Sequence, residues 1–153
     1  MKNFKLFTTI TFAFMMLVSY NVDAQKFRGL DKSPMDAASL GRGNKQLAIV
    51  YYGRPQLKGR TVGEELAPYG KVWRTGANEA TKLILNTDMN LNGTSLPAGA
   101  YSLFTIPGEK EWTIILNSEA KQWGAYSYKV ENDVLRVKVK SEAAEMTERM
   151  TFM

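Results

Sequence analysis

The chain has 153 residues, with 20 Lys and Arg against 15 Asp and Glu, and it contains neither cysteine nor histidine. Those two absences exclude disulfides, thiol nucleophiles, Ser-His-Asp triads and His-bearing zinc sites. A net charge of +5 is mildly basic, too small to indicate nucleic acid as a partner.

The N-terminus carries Lys2 and Lys5, then an apolar run from Leu6 to Val18, then Val22-Asp23-Ala24. These are the three parts of a secretory signal, with cleavage expected between Ala24 and Gln25. The run is short for a membrane span, and no cysteine stands nearby to carry a lipid anchor. Removing residues 1–24 takes away Lys2, Lys5 and Asp23 and lowers the net charge from +5 to +4. The expectation is one β-rich domain over residues 25–153, periplasmic or secreted, with no membrane span in the mature chain.

Residues 25–44 read as an irregular lead-in. From Gln46 to Tyr52 the chain is rich in β-branched and aromatic residues, with Leu47, Ile49 and Tyr51 on one face of a predicted strand. Thr61 to Glu64 fits a capping box and predicts one short helical turn, stopped by Pro68-Tyr69-Gly70. Lys71 to Arg74 is a short extended piece. Thr81 to Asn86 alternates, with Leu83 and Leu85 opposite Lys82 and Ile84. Asn92-Gly93 predicts a hairpin, because both residues tolerate positive φ. Tyr101–Ile106 and Glu111–Asn117 form a second hairpin through residues 107–110. Ser118 to Gln122 predicts another helical turn. Val134–Lys140 alternates with Leu135, Val137 and Val139 inward and Arg136, Lys138 and Lys140 outward. Met146–Met153 is predicted as a last strand. Seven or eight short strands and no long 3.6-residue period make the fold all-β: an antiparallel sandwich or partly open barrel with short helical turns.

Several stretches are distinctive: Y-Y-G-R-P-Q-L-K-G-R at 51–60, L-A-P-Y-G-K-V-W-R-T-G-A-N-E-A-T at 66–81, L-P-A-G-A-Y-S-L-F-T-I-P at 96–107, E-W-T-I-I-L-N at 111–117, K-Q-W-G-A-Y at 121–126 and D-V-L-R-V-K-V at 133–139. With these, residues 33–153 resemble an exported bacterial family catalogued as domain of unknown function 2911. The resemblance implies an envelope location and a β-rich domain, and brings no activity with it. It also implies a further strand or hairpin after the segment equivalent to Met146–Met153. Against that expectation either the gene is truncated at Phe152-Met153 or the last sheet is shortened, and a missing strand would leave an unpaired edge.

The dense polar cluster is Arg54, Lys58, Arg60, Tyr69, Lys71, Trp73, Arg74, Asn78 and Glu79. Of these, Arg54, Arg60, Tyr69, Trp73, Arg74, Asn78 and Glu79 are the candidate ligand-binding residues. Arg offers a planar fork that matches carboxylate or phosphate, so a small polar or anionic ligand is the expected partner. The structural alternative is that Glu79 pairs with Arg74 or Arg60 to tie irregular loops together. Glu64, Glu65 and Glu79 raise a second alternative, a carboxylate-based hydrolase using Glu79. A purely structural or assembly protein is the third. No catalytic residue and no cofactor are predicted. Asp88, Asn90 and Asn92 lack the twelfth-position carboxylate of a calcium loop, so no metal is predicted either. Among the aromatics, which alternation mostly assigns to the core, Trp123 and Tyr126 lie in a loop and are the better candidates for exposure.

Overall fold

A computed structural model describes residues 29–153; the leader expected over 1–24 lies outside the described residues. Ten strands form: β1 (Met35–Leu40), β2 (Ala48–Gly53), β3 (Val62–Gly63), β4 (Leu66–Pro68), β5 (Thr81–Leu85), β6 (Met89–Leu91), β7 (Thr94–Leu96), β8 (Gly99–Ile106), β9 (Glu111–Asn117) and β10 (Asp133–Lys140). Six of them make one antiparallel sheet in the order β1-β2-β5-β8-β9-β10, open at both edges. The remaining four make two short ribbons, β3–β4 and β6–β7. The described residues are therefore mostly β, with an antiparallel main sheet, a parallel β3–β4 ribbon and helix limited to single 3₁₀ turns at Gly43–Lys45 and Val130–Asn132.

Alternation along the strands gives each face of the sheet its own population. The register Val50↔Leu83↔Tyr101 and Thr81↔Leu103↔Leu116↔Leu135 puts the larger core on one face. There Ala48, Leu83, Leu85, Tyr101, Leu103, Leu116 and Leu135 pack together with Leu96 of the β6–β7 ribbon. The ribbon closes over this face because Asn92 and Gly93, at φ +50° and +84°, make the tight turn that the Asn-Gly pair predicts. On the opposite face Phe104 and Ile115 are fully buried beneath the long β9–β10 connection, against Ala125 and Tyr128.

The structure departs from the sequence expectations in four places. Residues 35–40 form a strand, although M-D-A-A-S-L holds no β-branched residue. β1 exists through its ladder with β2 rather than through intrinsic preference. Thr61–Glu64 does not turn into helix. Gly63 sits at φ +99° with the Tyr69 ring only 2.3 Å from where a Cβ would lie, and that conformation is foreign to a right-handed helix. The Thr61 N–H is satisfied by Glu65 Oε2 at 2.9 Å, one residue later than the capping box placed it. Ser118–Gln122 is likewise not helical. Its backbone groups are taken up by side chains, the Ser102 hydroxyl donating to Glu119 O and the Asn117 carbonyl oxygen accepting from Glu119 N–H. Finally, residues 146–153 make a single bridge, Gln56↔Arg149, in place of a strand. Pro55 offers no N–H with which a ladder could continue. The segment is held instead by Arg54, whose Nε and Nη2 donate to Met150 O and Thr151 Oγ1, and by Phe152 packed edge-on against Tyr52.

Candidate functional site

The β9–β10 connection crosses only part of the second face. It is pinned by Asn117, which is fully buried. The Asn117 amide nitrogen donates to Lys129 O and Asp133 Oδ1, and its oxygen accepts from Glu119 N–H and Gln122 Nε2. Asp133, with a side chain 5% exposed, also accepts from Tyr128 Oη and pairs with Arg136. Burial and the adjacent carboxylate push the Tyr128 hydroxyl up to about 12. The connection then runs antiparallel to the residues entering β5. Ala80 N–H donates to Gln122 O, and Gly124 N–H donates to Asn78 O, around the bridge Glu79↔Trp123.

Beside this wall the face of β1, β2 and β5 stays open as a cleft of about 550 Å³. Tyr51, Lys82 and Ile84 supply its floor, Met35 one rim, and Gln122 and Trp123 the wall. Tyr51 is 36% exposed and Trp123 60% exposed. Glu79 and Lys82 also line it, and neither belongs to any ion pair among the described residues. Glu79 is the only carboxylate in the lining.

The residues expected from sequence are scattered rather than gathered. Arg54 is an internal clamp, paired with Asp36 at 3.2 Å besides its bonds to the C-terminal segment. Arg60 closes its own turn by donating to Gln56 O and Leu57 O. Tyr69 packs over Gly63. Asn78, in the left-handed region at φ +64°, donates to Asp31. Arg74 is half-buried, and its Nε finds no acceptor. Trp73 bridges Thr105 and meets Trp112 edge-to-face at 6.4 Å, lining an apolar groove of about 320 Å³ on the first face. Of the seven, only Glu79 reaches the cleft. The Glu79–Arg pair expected as a structural tie does not form, because Arg60 and Arg74 lie on other segments of the loop and Glu79 is turned to the exposed surface beside Trp123. Sequence reasoning missed Tyr51, Lys82 and Gln122. The strand alternation that placed Lys82 and Ile84 opposite Leu83 and Leu85 was the signal for their shared face.

The model of a protein family of unknown function, DUF2911, matches residues 33–153. The chain belongs to the DUF2911 family. No curated protein and no solved structure matches it. In this DUF2911 chain the run V-W-R-T-G-A-N-E-A passes from the groove on one face, at Trp73, to the cleft on the other, at Glu79 and Ala80. Gly53 and Gly76 let it do so. A Cβ on Gly53 would lie 2.2 Å from Ala77 O, and one on Gly76 would lie 2.9 Å from Thr81 Oγ1.

Proposed function

We propose that this DUF2911 protein is a non-catalytic module that binds a small polar ligand in the cleft beside Trp123. The observation that carries the reading is the company kept there. An indole left largely exposed on a pinned loop stands beside a sheet surface bearing Tyr51, with one carboxylate, Glu79, and two ammonium groups, Lys82 and Lys121, in no ion pair among the described residues. Exposed aromatic faces beside unspent polar groups are typical of ligand sites rather than of inert surface. The hydrolase alternative requires a second carboxylate across the scissile bond from the first, and the lining supplies only Glu79. Binding through an Arg54/Arg60 fork has less support, since both guanidiniums are committed to internal acceptors. The module acts outside the cytoplasm in this reading, a view that rests on the leader-like residues 1–24. Among the described residues no helix is long and apolar enough to cross a membrane.

The test follows the three indole N–H resonances of Trp73, Trp112 and Trp123 while neutral sugars, amines, carboxylates and phosphates are titrated in turn. Binding in the cleft moves the Trp123 resonance alone, and Trp123→Ala abolishes the affinity measured by calorimetry. Saturable binding that leaves Trp123 unmoved and survives Trp123→Ala overturns the assignment.

A further inference from the structure

Gln122 lines the cleft, is only 6% exposed, and carries a buried amide oxygen without a hydrogen-bond donor among the described residues. Its orientation is fixed by its neighbours. Nε2 donates to Asn117 Oδ1 at 3.1 Å and to Glu119 O at 2.9 Å. A backbone carbonyl can only accept, so the amide nitrogen must face Glu119 and the oxygen must face away. Asn117 cannot be reversed to compensate, because its own nitrogen already serves two acceptors, Lys129 O and Asp133 Oδ1. The chain of amides therefore ends in one orphaned acceptor, buried within a residue of the cleft wall. Buried acceptors are rarely left so, since each costs the desolvation of the group without return.

Resting on the reading of the cleft as a binding site, we infer that its ligand is a neutral saccharide. One sugar hydroxyl donates to Gln122 Oε1, directly or through one ordered water, while the ring lies against the Trp123 or Tyr51 face. Three features of the cleft converge on this class. Its aromatic faces suit the C–H face of a pyranose ring. Its unspent polar groups are two acceptors, Gln122 Oε1 and the Glu79 carboxylate, and two ammonium donors, Lys82 and Lys121, with the Tyr51 hydroxyl able to serve either way. A polyol both donates and accepts, so it serves both kinds. A carboxylate or a doubly ionised phosphate ester is drawn by Lys82 and Lys121 but has no proton for either acceptor, and so leaves Gln122 Oε1 unserved. A simple ammonium serves the acceptors and is repelled by Lys82 and Lys121.

The experiment uses methyl pyranosides and short neutral oligosaccharides, each monodeoxygenated in turn, with the Trp123 indole shift and calorimetry as readouts. For wild type, one particular deoxy position weakens binding about tenfold, the value of one net hydrogen bond. In Gln122→Met, which keeps side-chain length and removes the acceptor, that same position no longer matters while the others still do. If Gln122→Met fails to fold, the wild-type deoxy series together with Trp123→Ala still decides. A flat deoxy series overturns the role of Gln122. A Trp123 shift produced by amines or anions and by no sugar overturns the saccharide while leaving the cleft a binding site. Silence from every probe overturns the cleft itself.

Discussion

Replacing Asn117 by Ala removes one fully buried side chain and four hydrogen bonds. Two run from its nitrogen, to Lys129 O at 3.0 Å and Asp133 Oδ1 at 2.9 Å, and two end on its oxygen, from Glu119 N–H and Gln122 Nε2, both at 3.1 Å. A neutral buried bond contributes about 1 kcal/mol net, and one to a carboxylate about 1.5–3 kcal/mol. Not all of this is lost. Gln122 Nε2 keeps Glu119 O, and Asp133 keeps Tyr128 and Arg136. The partners left bare and the small cavity bring the expected loss to about 4 kcal/mol. Against a typical total of about 5–15 kcal/mol the variant remains folded but visibly weakened. Equilibrium urea unfolding measures it, with Ser118→Ala as control. Ser118 is exposed, its hydroxyl makes one bond to Asn132 O, and its loss should stay within about 0.5 kcal/mol. Amides of residues 119–124 should also exchange faster in Asn117→Ala while those of β8 do not. A loss below about 1 kcal/mol, with unchanged exchange, would refute the claim that Asn117 holds the wall of the cleft.

Glu79→Gln should shift the thermal midpoint by no more than an ordinary surface change, within about 0.5 kcal/mol, because Glu79 has no ion-pair partner among the described residues; a loss of 2 °C or more would show a partner in solution. Two of the β10 cations should separate. Arg136→Gln strands the nearly buried Asp133 carboxylate and should cost about 1–2 kcal/mol in urea unfolding, whereas Lys138→Gln, whose pair with Glu111 is solvent-exposed, should leave the midpoint in place. Equal effects would contradict the network. The raised Tyr128 hydroxyl predicts an alkaline loss of stability. Its proton is held more tightly in the folded than in the unfolded chain, so its contribution is complete below pH 10 and disappears as the pH rises from 10 through about 12. Tyr128→Phe should flatten that part of the unfolding-versus-pH curve, and an unchanged slope would assign it elsewhere.

What could be read from the sequence was whatever alternation and local turn chemistry dictate. β5, β8, β9 and β10 emerge near their predicted limits because Leu83, Leu103, Leu116 and Leu135 repeat on one side, and the β6–β7 turn follows from Asn92-Gly93. Elements made by partners rather than by their own residues were not legible. β1 has a composition suited to many conformations and becomes a strand because β2 offers it an edge. The same limit governed the site. Basic residues clustered in sequence at 54–74 look like a shared pocket, yet Arg54 and Arg60 point to carbonyls in different segments. The cleft joins Met35, Tyr51, Lys82 and Trp123, which no local pattern connects. The exposure of Trp123 was foreseeable from its loop; its neighbours across the sheet were not.

The cleft is open because of how one connection is spent. Residues 118–132 must travel from the end of β9 to the start of β10, which is adjacent to it in the sheet. A short hairpin would suffice for that. The chain instead crosses the face, buries Phe104 and Ile115 against Ala125 and Tyr128, and pairs with residues 78–80 before returning. It stops at Trp123 and leaves β1, β2 and β5 uncovered on that side. The residues there are not those of an ordinary solvated face such as β10 shows with Arg136, Lys138 and Lys140. They are the exposed Tyr51 with the half-buried Ile84 and Lys82. Apolar side chains on an open face cost solubility and add no core, whereas the adjacent wall is held by a buried amide network that one missing donor would complete. A wall made rigid next to a floor left bare is the arrangement expected of a preformed binding surface, and it places Trp123 and Gln122 at the boundary where the two meet.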